Sequence, residues 1–95
     1  MQCTSITFSR HAIQRMFQRG LAITDIEVIV QTGVLIEDYP TDFPYPSCLL
    51  LGHTQAFPVH VVAARDPASA ACIVVTVYVP IPARWSADFK TRRVP

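Results

Sequence analysis

The sequence has no long apolar run and no signal-like start. Its apolar segments fall well short of the roughly 20 residues that a membrane-spanning helix needs. The start MQCTSITF lacks a basic segment followed by an apolar one, so no secretory signal is indicated. We therefore expect a cytoplasmic protein with no membrane partner.

Cysteines are few and lie far apart. Cys3, Cys48 and Cys72 form no Cys-x-x-Cys pair, and their odd number indicates neither a disulfide framework nor a zinc knuckle. We expect all three to be buried, reduced thiols. The three histidines are equally scattered, with no carboxylate at ligand spacing. The sequence therefore predicts no metal site and no cofactor.

The composition is that of a small folded domain. Of the 95 residues, 51% are hydrophobic and 16% are charged, which excludes a disordered chain and allows one modest core. No internal repeat and no low-complexity linker divides the sequence. We expect a single domain over residues 1–95.

Two helices are predicted before residue 34. Ser9 is a suitable N-cap for the first, and Gly20 is suited to its C-terminal end. Thr24 and Glu27 form a capping box for the second, which Gly33 ends. Apolar residues at helical spacing predict the buried positions, with a staple between Ile23 and Val28: Ala12, Ile13, Met16, Phe17, Ile26, Ile29 and Val30.

The rest of the chain is typical of a β-sheet. Segments 34–39, 47–53, 59–65 and 71–79 are rich in β-branched residues and are separated by turn-forming stretches. Short connections favour antiparallel pairing. We predict an α+β fold in which two N-terminal helices cover one face of a four-stranded, mainly antiparallel sheet. The other face is expected to stay partly open.

Alternation in the last strand predicts which side chains face the core. Ile73, Val75, Val77 and Val79 are uniformly apolar, so this side of the strand is expected to be buried. The opposite side carries hydroxyl groups near its end, including those of Thr76 and Tyr78.

Charges are segregated although the net charge is only +1. Residues 1–24 carry Arg10, Arg15 and Arg19 and no acid, residues 25–42 carry five acids and no base, and the tail is basic again. His11, Arg15 and Arg19 follow one another at i, i+4 and i+8, and Gln18 flanks this row. Like charges at this spacing destabilise a helix by about a few tenths of a kcal/mol each.

Two interpretations of the row are open. It is either a solvated face neutralised by Glu37, Asp38 or Asp42, or a surface that binds phosphate; we favour phosphate. Arginine can hold a phosphate with two parallel hydrogen bonds, and a histidine exchanges protons near neutral pH. Together they suffice for a metal-independent attack of an RNA 2′-hydroxyl on its phosphate.

A second group of polar side chains lies on the predicted strands. His60 is more typical of a core or edge position than of a site, and its relation to Tyr78 depends on the strand register. Tyr78 can stack a base or donate to phosphate. Trp85 is expected to cap the core, and the tail KTRR can add contacts to a nucleic-acid backbone.

The segments RHAIQRMFQRG, TGVLIEDYP, PYPSCLLLG, VHVV and TVYVP resemble, in this order, the bacterial family called domain of unknown function 4258. Its members are similar to the small ribonuclease toxins of the RelE, BrnT and MqsR type. The resemblance implies an α+β fold with a small antiparallel sheet and often a neighbouring zinc-finger antitoxin. Val79 and Ile81 stand where many relatives are expected to be more polar or acidic. The family's recurring polar positions fall on His11, Arg15, Arg19, Glu37, His60, Thr76 and Tyr78.

Taken together, these observations predict a toxin-like, metal-independent endoribonuclease of a toxin–antitoxin module. The predicted catalytic residues are His11, Arg15, Arg19, His60 and Tyr78, and the predicted RNA contacts are Arg10, Gln18, Thr76, Lys90, Arg92 and Arg93. The alternative is a non-catalytic module that binds nucleic acid or protein through the open sheet face and the PTDFPYP loop. Exposed strand edges can pair with a second copy of the chain, so a homo-oligomer is a further alternative.

Overall fold

The computed structural model describes residues 1–94. Their elements are β1 (Ser5–Phe8), α1 (Arg10–Arg19), α2 (Ile23–Thr32), β2 (Val34–Tyr39), β3 (Ser47–His53), β4 (Pro58–Arg65) and β5 (Ala71–Tyr78). The strands form one sheet in the order β1-β5-β4-β3-β2. β2 to β5 make the predicted antiparallel meander, with bounds within one residue of those expected. Neither helix, at ten residues, is long enough to cross a membrane.

The sheet has a fifth strand, so the prediction of four strands is wrong. β1 pairs in parallel with β5, with Ser5 opposite Ala71 and Phe8 opposite Val74. Four residues are too few to show a two-residue period, and their partner lies far along the chain. The sheet is therefore mixed. α1 follows β1 directly, which sets the start of the helix beside the outer edge of β5.

α1 begins and ends where the sequence predicts. The Ser9 hydroxyl accepts a hydrogen bond from the backbone N–H of Ala12 at 3.0 Å and donates to the carbonyl of Val75 at 2.8 Å. The cap therefore also ties the helix to β5. Gly20 ends the helix in the left-handed conformation, with φ at 67°. α2 likewise stops at Gly33, as predicted.

The main core lies between the helices and one face of the sheet. α1 contributes only Ala12 and Met16 to it, whereas Ile13 and Phe17, predicted to be buried, are 50% and 89% exposed. α1 packs mainly on β5 and α2 on β3 and β4, so neither helix shields the flank of the other. The other core residues are Leu21, Ile26, Ile29, Val30, Cys48, Leu50, Val59, Val61, Ala63, Val74 and Val77.

The start of α2 differs from the predicted capping box. Because α2 begins at Ile23, Thr24 lies inside its first turn, and Ala22 occupies the N-cap position without a side-chain hydrogen bond. The connection between the two helices consists of residues 20–22 alone, so Thr24 is already part of α2. The predicted staple is not buried either, since Ile23 and Val28 are 51% and 58% exposed.

The buried positions of β5 also differ from the prediction. Cys72 and Val74 are fully buried, whereas Val75 is 40% exposed and Ile73 is only partly buried. Val77 is fully buried, as expected.

A β-bulge explains the change of face. Val62 lies opposite Thr76 and Ala63 lies opposite Val74, which leaves Val75 as an extra residue in β5. An extra residue reverses the alternation, and a strict two-residue period cannot predict it. Thr76 nevertheless points away from the main core, as the sequence indicated.

The pairing of β1 with β5 brings together two cysteines that were expected to be reduced thiols and that form a disulfide. Cys3 and Cys72 are joined, although 69 positions separate them. Nothing in their spacing indicated the bond, because the parallel strand that brings them together was not predicted. Cys48 is a buried free thiol, as expected.

Loss of this disulfide is expected to lower the free energy of unfolding by about 2–4 kcal/mol, because the bond restrains a long loop of the unfolded chain. The Cys3→Ser variant should unfold at a lower denaturant concentration than the wild type. A reductant should shift the wild type to the midpoint of the variant and leave the variant unchanged. Identical midpoints without reductant would show that the bond contributes nothing.

Residues 79–94, which we call the C-terminal segment, cover part of the face of the sheet opposite the helices. Trp85 is 3% exposed and packs edge-to-face on His60, with ring centroids 4.4 Å apart. Leu51, opposite His60 in β3, is 3% exposed. The segment folds back on itself through the Arg93 N–H, which donates to the Arg84 carbonyl at 2.8 Å. Trp85 caps this face as predicted, whereas Val62 and Thr76 on the same face stay only partly buried, in line with the expectation of a partly open face.

Candidate functional site

A cleft of about 470 Å³ lies between α1, the end of β5 and the C-terminal segment. Its volume is in the range of about 300–1,000 Å³ that is typical of ligand sites. Four guanidinium groups, one imidazole and two hydroxyl groups line it, and no carboxylate does. The lining residues are His11, Arg15, Arg19, Thr76, Tyr78, Val79, Ile81, Arg84, Trp85 and Arg92. Within residues 1–94, the side chains that line the cleft therefore bring several positive charges and no negative charge together.

α1 contributes one complete row of side chains to the cleft. His11, Arg15 and Arg19 recur every fourth residue and so share one face of the helix. Burial of Ala12 and Met16 fixes the rotation of the helix about its axis. The row next to these two residues then faces the end of β5.

A hydrogen bond joins α1 to β5 inside the cleft. The Nε2 atom of His11 and the Oγ1 atom of Thr76 lie 2.9 Å apart. β1 ends at Phe8, so the outer edge of β5 beyond Val74 is free to meet the helix. The contact holds the imidazole of His11 in one orientation at the wall of the cleft.

Tyr78 connects the cleft to the buried ring of His60. The Tyr78 hydroxyl lies 3.1 Å from His60 Nδ1, and His60 Nε2 lies 2.8 Å from the carbonyl of Phe89. A carbonyl only accepts, so Nε2 carries the hydrogen, and a neutral imidazole then accepts at Nδ1. The Tyr78 hydroxyl therefore donates to His60 and presents its oxygen lone pairs to the cleft.

Burial dominates the titration of both rings. Burial lowers the pKa of His60, and the positive charge of Arg92 lowers it further. The hydrogen bond to the Phe89 carbonyl raises this pKa but does not outweigh burial. Burial raises the pKa of Tyr78, although Arg92 opposes the shift. Both side chains are therefore neutral near pH 7, and the hydrogen bond between them holds one transferable proton.

This lowered pKa gives a prediction for stability against acid. The unfolded imidazole titrates near its ordinary pKa of about 6.5, so below that pH the unfolded chain binds the proton more readily than the folded chain. The His60 contribution is full above about pH 6.5 and is lost as the pH falls through the lowered pKa. Between about pH 7.5 and about pH 5, the denaturation midpoint should fall further for the wild type than for His60→Gln. An equal fall of the midpoint in both proteins would contradict the assignment of this pH dependence to His60.

Arg92 is held on two sides. Its guanidinium carbon lies 4.8 Å above the centroid of the Trp85 ring, and its Nε lies 3.9 Å from Glu37 Oε1. The Tyr39 hydroxyl donates to the other Glu37 oxygen at 2.8 Å, which fixes the carboxylate. Arg92 is thus the one cleft arginine with an acidic partner among residues 1–94.

Arg15 and Arg19 have no such partner. Of the acids that the sequence offered as partners for the row, Glu37 pairs with Arg92 instead. Within the described chain, neither arginine of the row forms an ion pair. Within residues 1–94, no ion pair therefore compensates their charge.

Comparison with known proteins places the chain in a family. The model of a domain of unknown function, DUF4258, matches residues 8–79. The chain belongs to the DUF4258 family. No curated protein and no solved structure matches it significantly.

The DUF4258 match and the cleft overlap only in part. α1 and the end of β5, which carry Arg15 and Tyr78, lie inside the matched residues. Arg84, Trp85 and Arg92 lie beyond them, so the C-terminal segment supplies a wall of the cleft from outside the matched residues.

The cleft brings together six of the residues predicted from sequence: His11, Arg15, Arg19, Thr76, Tyr78 and Arg92. His60 is fully buried behind Tyr78, so it can act on a ligand only through that side chain. Arg10, Gln18, Lys90 and Arg93 do not line the cleft. Within residues 1–94, no three His, Cys, Asp or Glu side chains lie close enough together to hold a metal ion.

Sequence reasoning missed Arg84 as a site residue and treated Trp85 only as a core cap. A turn after β5 places both at the cleft, with the Arg84 N–H donating to the Ile81 carbonyl at 2.9 Å. Pro80 and Pro82, which flank Ile81, are the signal that could have indicated a turn here.

Proposed function

We propose that the cleft binds the phosphodiester backbone of RNA and cleaves it by a metal-independent attack of the 2′-hydroxyl. The observation that carries the proposal is the meeting of two uncompensated arginines, Arg15 and Arg19, with His11 and Tyr78 in one cleft. Guanidinium groups hold phosphate through paired hydrogen bonds and remain charged at any physiological pH. A cleft without carboxylates favours such a ligand.

The reaction needs one group that takes the 2′-hydroxyl proton and another that protonates the leaving oxygen. The Tyr78 oxygen accepts the 2′-hydroxyl proton while its own proton passes to Nδ1 of His60. The His11 imidazole gives a proton to the leaving 5′-oxygen. The bond from O2′ to phosphorus forms and the bond from phosphorus to O5′ breaks, which yields a 2′,3′-cyclic phosphate and a 5′-hydroxyl end.

Electrostatic stabilisation is assigned to the arginines. Negative charge builds up on the phosphate oxygens in the transition state, and fixed cations stabilise that charge more than the charge of the ground state. We assign this role to Arg15, Arg19 and Arg84, which line the cleft. The mechanism uses no acid at Val79 or Ile81, where polar residues are expected in relatives.

The resemblance to ribonuclease toxins of the RelE, BrnT and MqsR type supports the same proposal. It implies a RelE-like fold and a zinc-finger antitoxin as the partner. Each of these belongs to the proposal.

A cleavage assay with chelator tests the proposed function. Purified protein should shorten a single-stranded RNA at the same rate with and without EDTA. RNA that stays intact in both samples would contradict the reaction. If the intact RNA still formed a complex, the logarithm of its binding constant should fall with the logarithm of the salt concentration, with a slope of about 0.7 per phosphate contact. The cleft would then be a binding site without catalysis.

A further inference from the structure

We propose that the guanidinium of Arg92 is a stacking platform for one nucleobase of the bound strand. The inference rests on the nucleic-acid binding in the proposed function and is independent of cleavage. It assigns to Arg92 a role different from the backbone contact that the sequence predicted.

Three planar groups meet at this wall of the cleft. The His60 ring meets the Trp85 ring edge-to-face at 4.4 Å and an interplanar angle of 87°, and the Arg92 guanidinium lies over the indole at 4.8 Å. Trp85 is 3% exposed, so it is covered and cannot itself receive a base. The Arg92 side chain is 61% exposed. Of these three groups, the Arg92 guanidinium is therefore the one that a ligand can reach.

The contact with Glu37 restricts how Arg92 can move. Its Nε faces a carboxylate that the Tyr39 hydroxyl holds from the other side. A guanidinium that lies over an indole and has a carboxylate near its Nε has less freedom left to lose, so stacking a base on it costs little further entropy. Unpaired bases stack on arginine planes as well as on aromatic rings.

The charges of the cleft arginines support a division of roles. Glu37 partly compensates the charge of Arg92, whereas Arg15 and Arg19 have no acidic partner within residues 1–94. Phosphate is therefore attracted more strongly to the helix row than to Arg92. Since both line the same cleft, a base on Arg92 would belong to a nucleotide next to the bound phosphate.

Binding of a strand that cannot react by the proposed route tests the platform. The probe is a hexanucleotide of deoxyadenosine, which lacks the 2′-hydroxyl, together with versions in which one base at a time is removed. Trp85 is the sole tryptophan, so its fluorescence reports binding beside Arg92. For the wild type, removal of one particular base should weaken binding by at least about fivefold. In Arg92→Lys, which keeps the charge and loses the plane, this difference should disappear.

Arg84→Lys is the matched control, because it makes the same exchange in the same cleft without a stacked indole. It should retain the penalty for the missing base. The platform is overturned if Arg92→Lys keeps the penalty, if the wild type shows none, or if the wild type does not bind the strand. Cleavage of RNA without a base penalty would reject the platform alone, and a base penalty without cleavage would reject the reaction alone.

Discussion

Replacing Arg15 by alanine is expected to lower the rate of RNA cleavage by about 100- to 1,000-fold, the usual effect of removing one donor that stabilises transition-state charge. Arg15 is the middle member of the helix row, between His11 and Arg19, and its charge has no acidic partner among residues 1–94. The loss should appear in the rate constant under single-turnover conditions. Stability should be unchanged or slightly higher, since repulsion within the helix is relieved.

Arg10→Ala is the matched control for this experiment. It removes the same side chain and the same charge from the same helix, but Arg10 does not line the cleft. The control should cleave RNA within about twofold of the wild-type rate, as expected for a surface change away from the site. An equal loss in both variants would show that the overall charge matters and not the cleft.

Replacing Trp85 by alanine is expected to lower the free energy of unfolding by about 3–5 kcal/mol, the range for truncation of a buried large aromatic side chain. Trp85 anchors the C-terminal segment on the sheet through its contact with His60. Its loss would also remove the support beneath Arg92. Denaturant unfolding followed by circular dichroism measures the change without relying on tryptophan fluorescence.

Phe43→Ala provides the aromatic control for stability. Phe43 is 95% exposed, so its truncation should change the free energy of unfolding by less than about 0.5 kcal/mol. If Trp85→Ala were as mild as this control, the C-terminal segment would not be packed on the sheet.

Local patterns predicted the elements that depend on local chemistry. The cap of α1 at Ser9, its end at Gly20 and the bounds of β2 and β3 follow from residues within a few positions of one another. The prediction at Thr24 was wrong because α2 already begins at Ile23, with Ala22 and not Thr24 at the N-cap position.

Features that depend on distant partners could not be predicted from the same patterns. β1 exists because β5 accepts it as a parallel neighbour, and the disulfide between Cys3 and Cys72 follows from that pairing. The bulge at Val75 depends on how β5 meets β4. In each case the deciding contact lies many residues away in sequence.

The candidate site shows the same division. The spacing of His11, Arg15 and Arg19 identified the helix row, because helical periodicity is local. That Tyr78 and Arg92 lie in the same cleft depends on strand register and on the fold of the C-terminal segment. The row could be found from the sequence, but its surroundings could not.

The central claim is that the 2′-hydroxyl of RNA is the nucleophile in this cleft. The most direct test is to incubate the wild-type protein, in the presence of EDTA, with an RNA oligonucleotide and with its fully 2′-O-methylated counterpart, and to determine the ends of the products. We predict that the RNA is cut to fragments with 2′,3′-cyclic phosphate and 5′-hydroxyl ends and that the methylated strand stays intact. Cleavage of both strands, cleavage of neither, or products with 3′-hydroxyl and 5′-phosphate ends would contradict the claim.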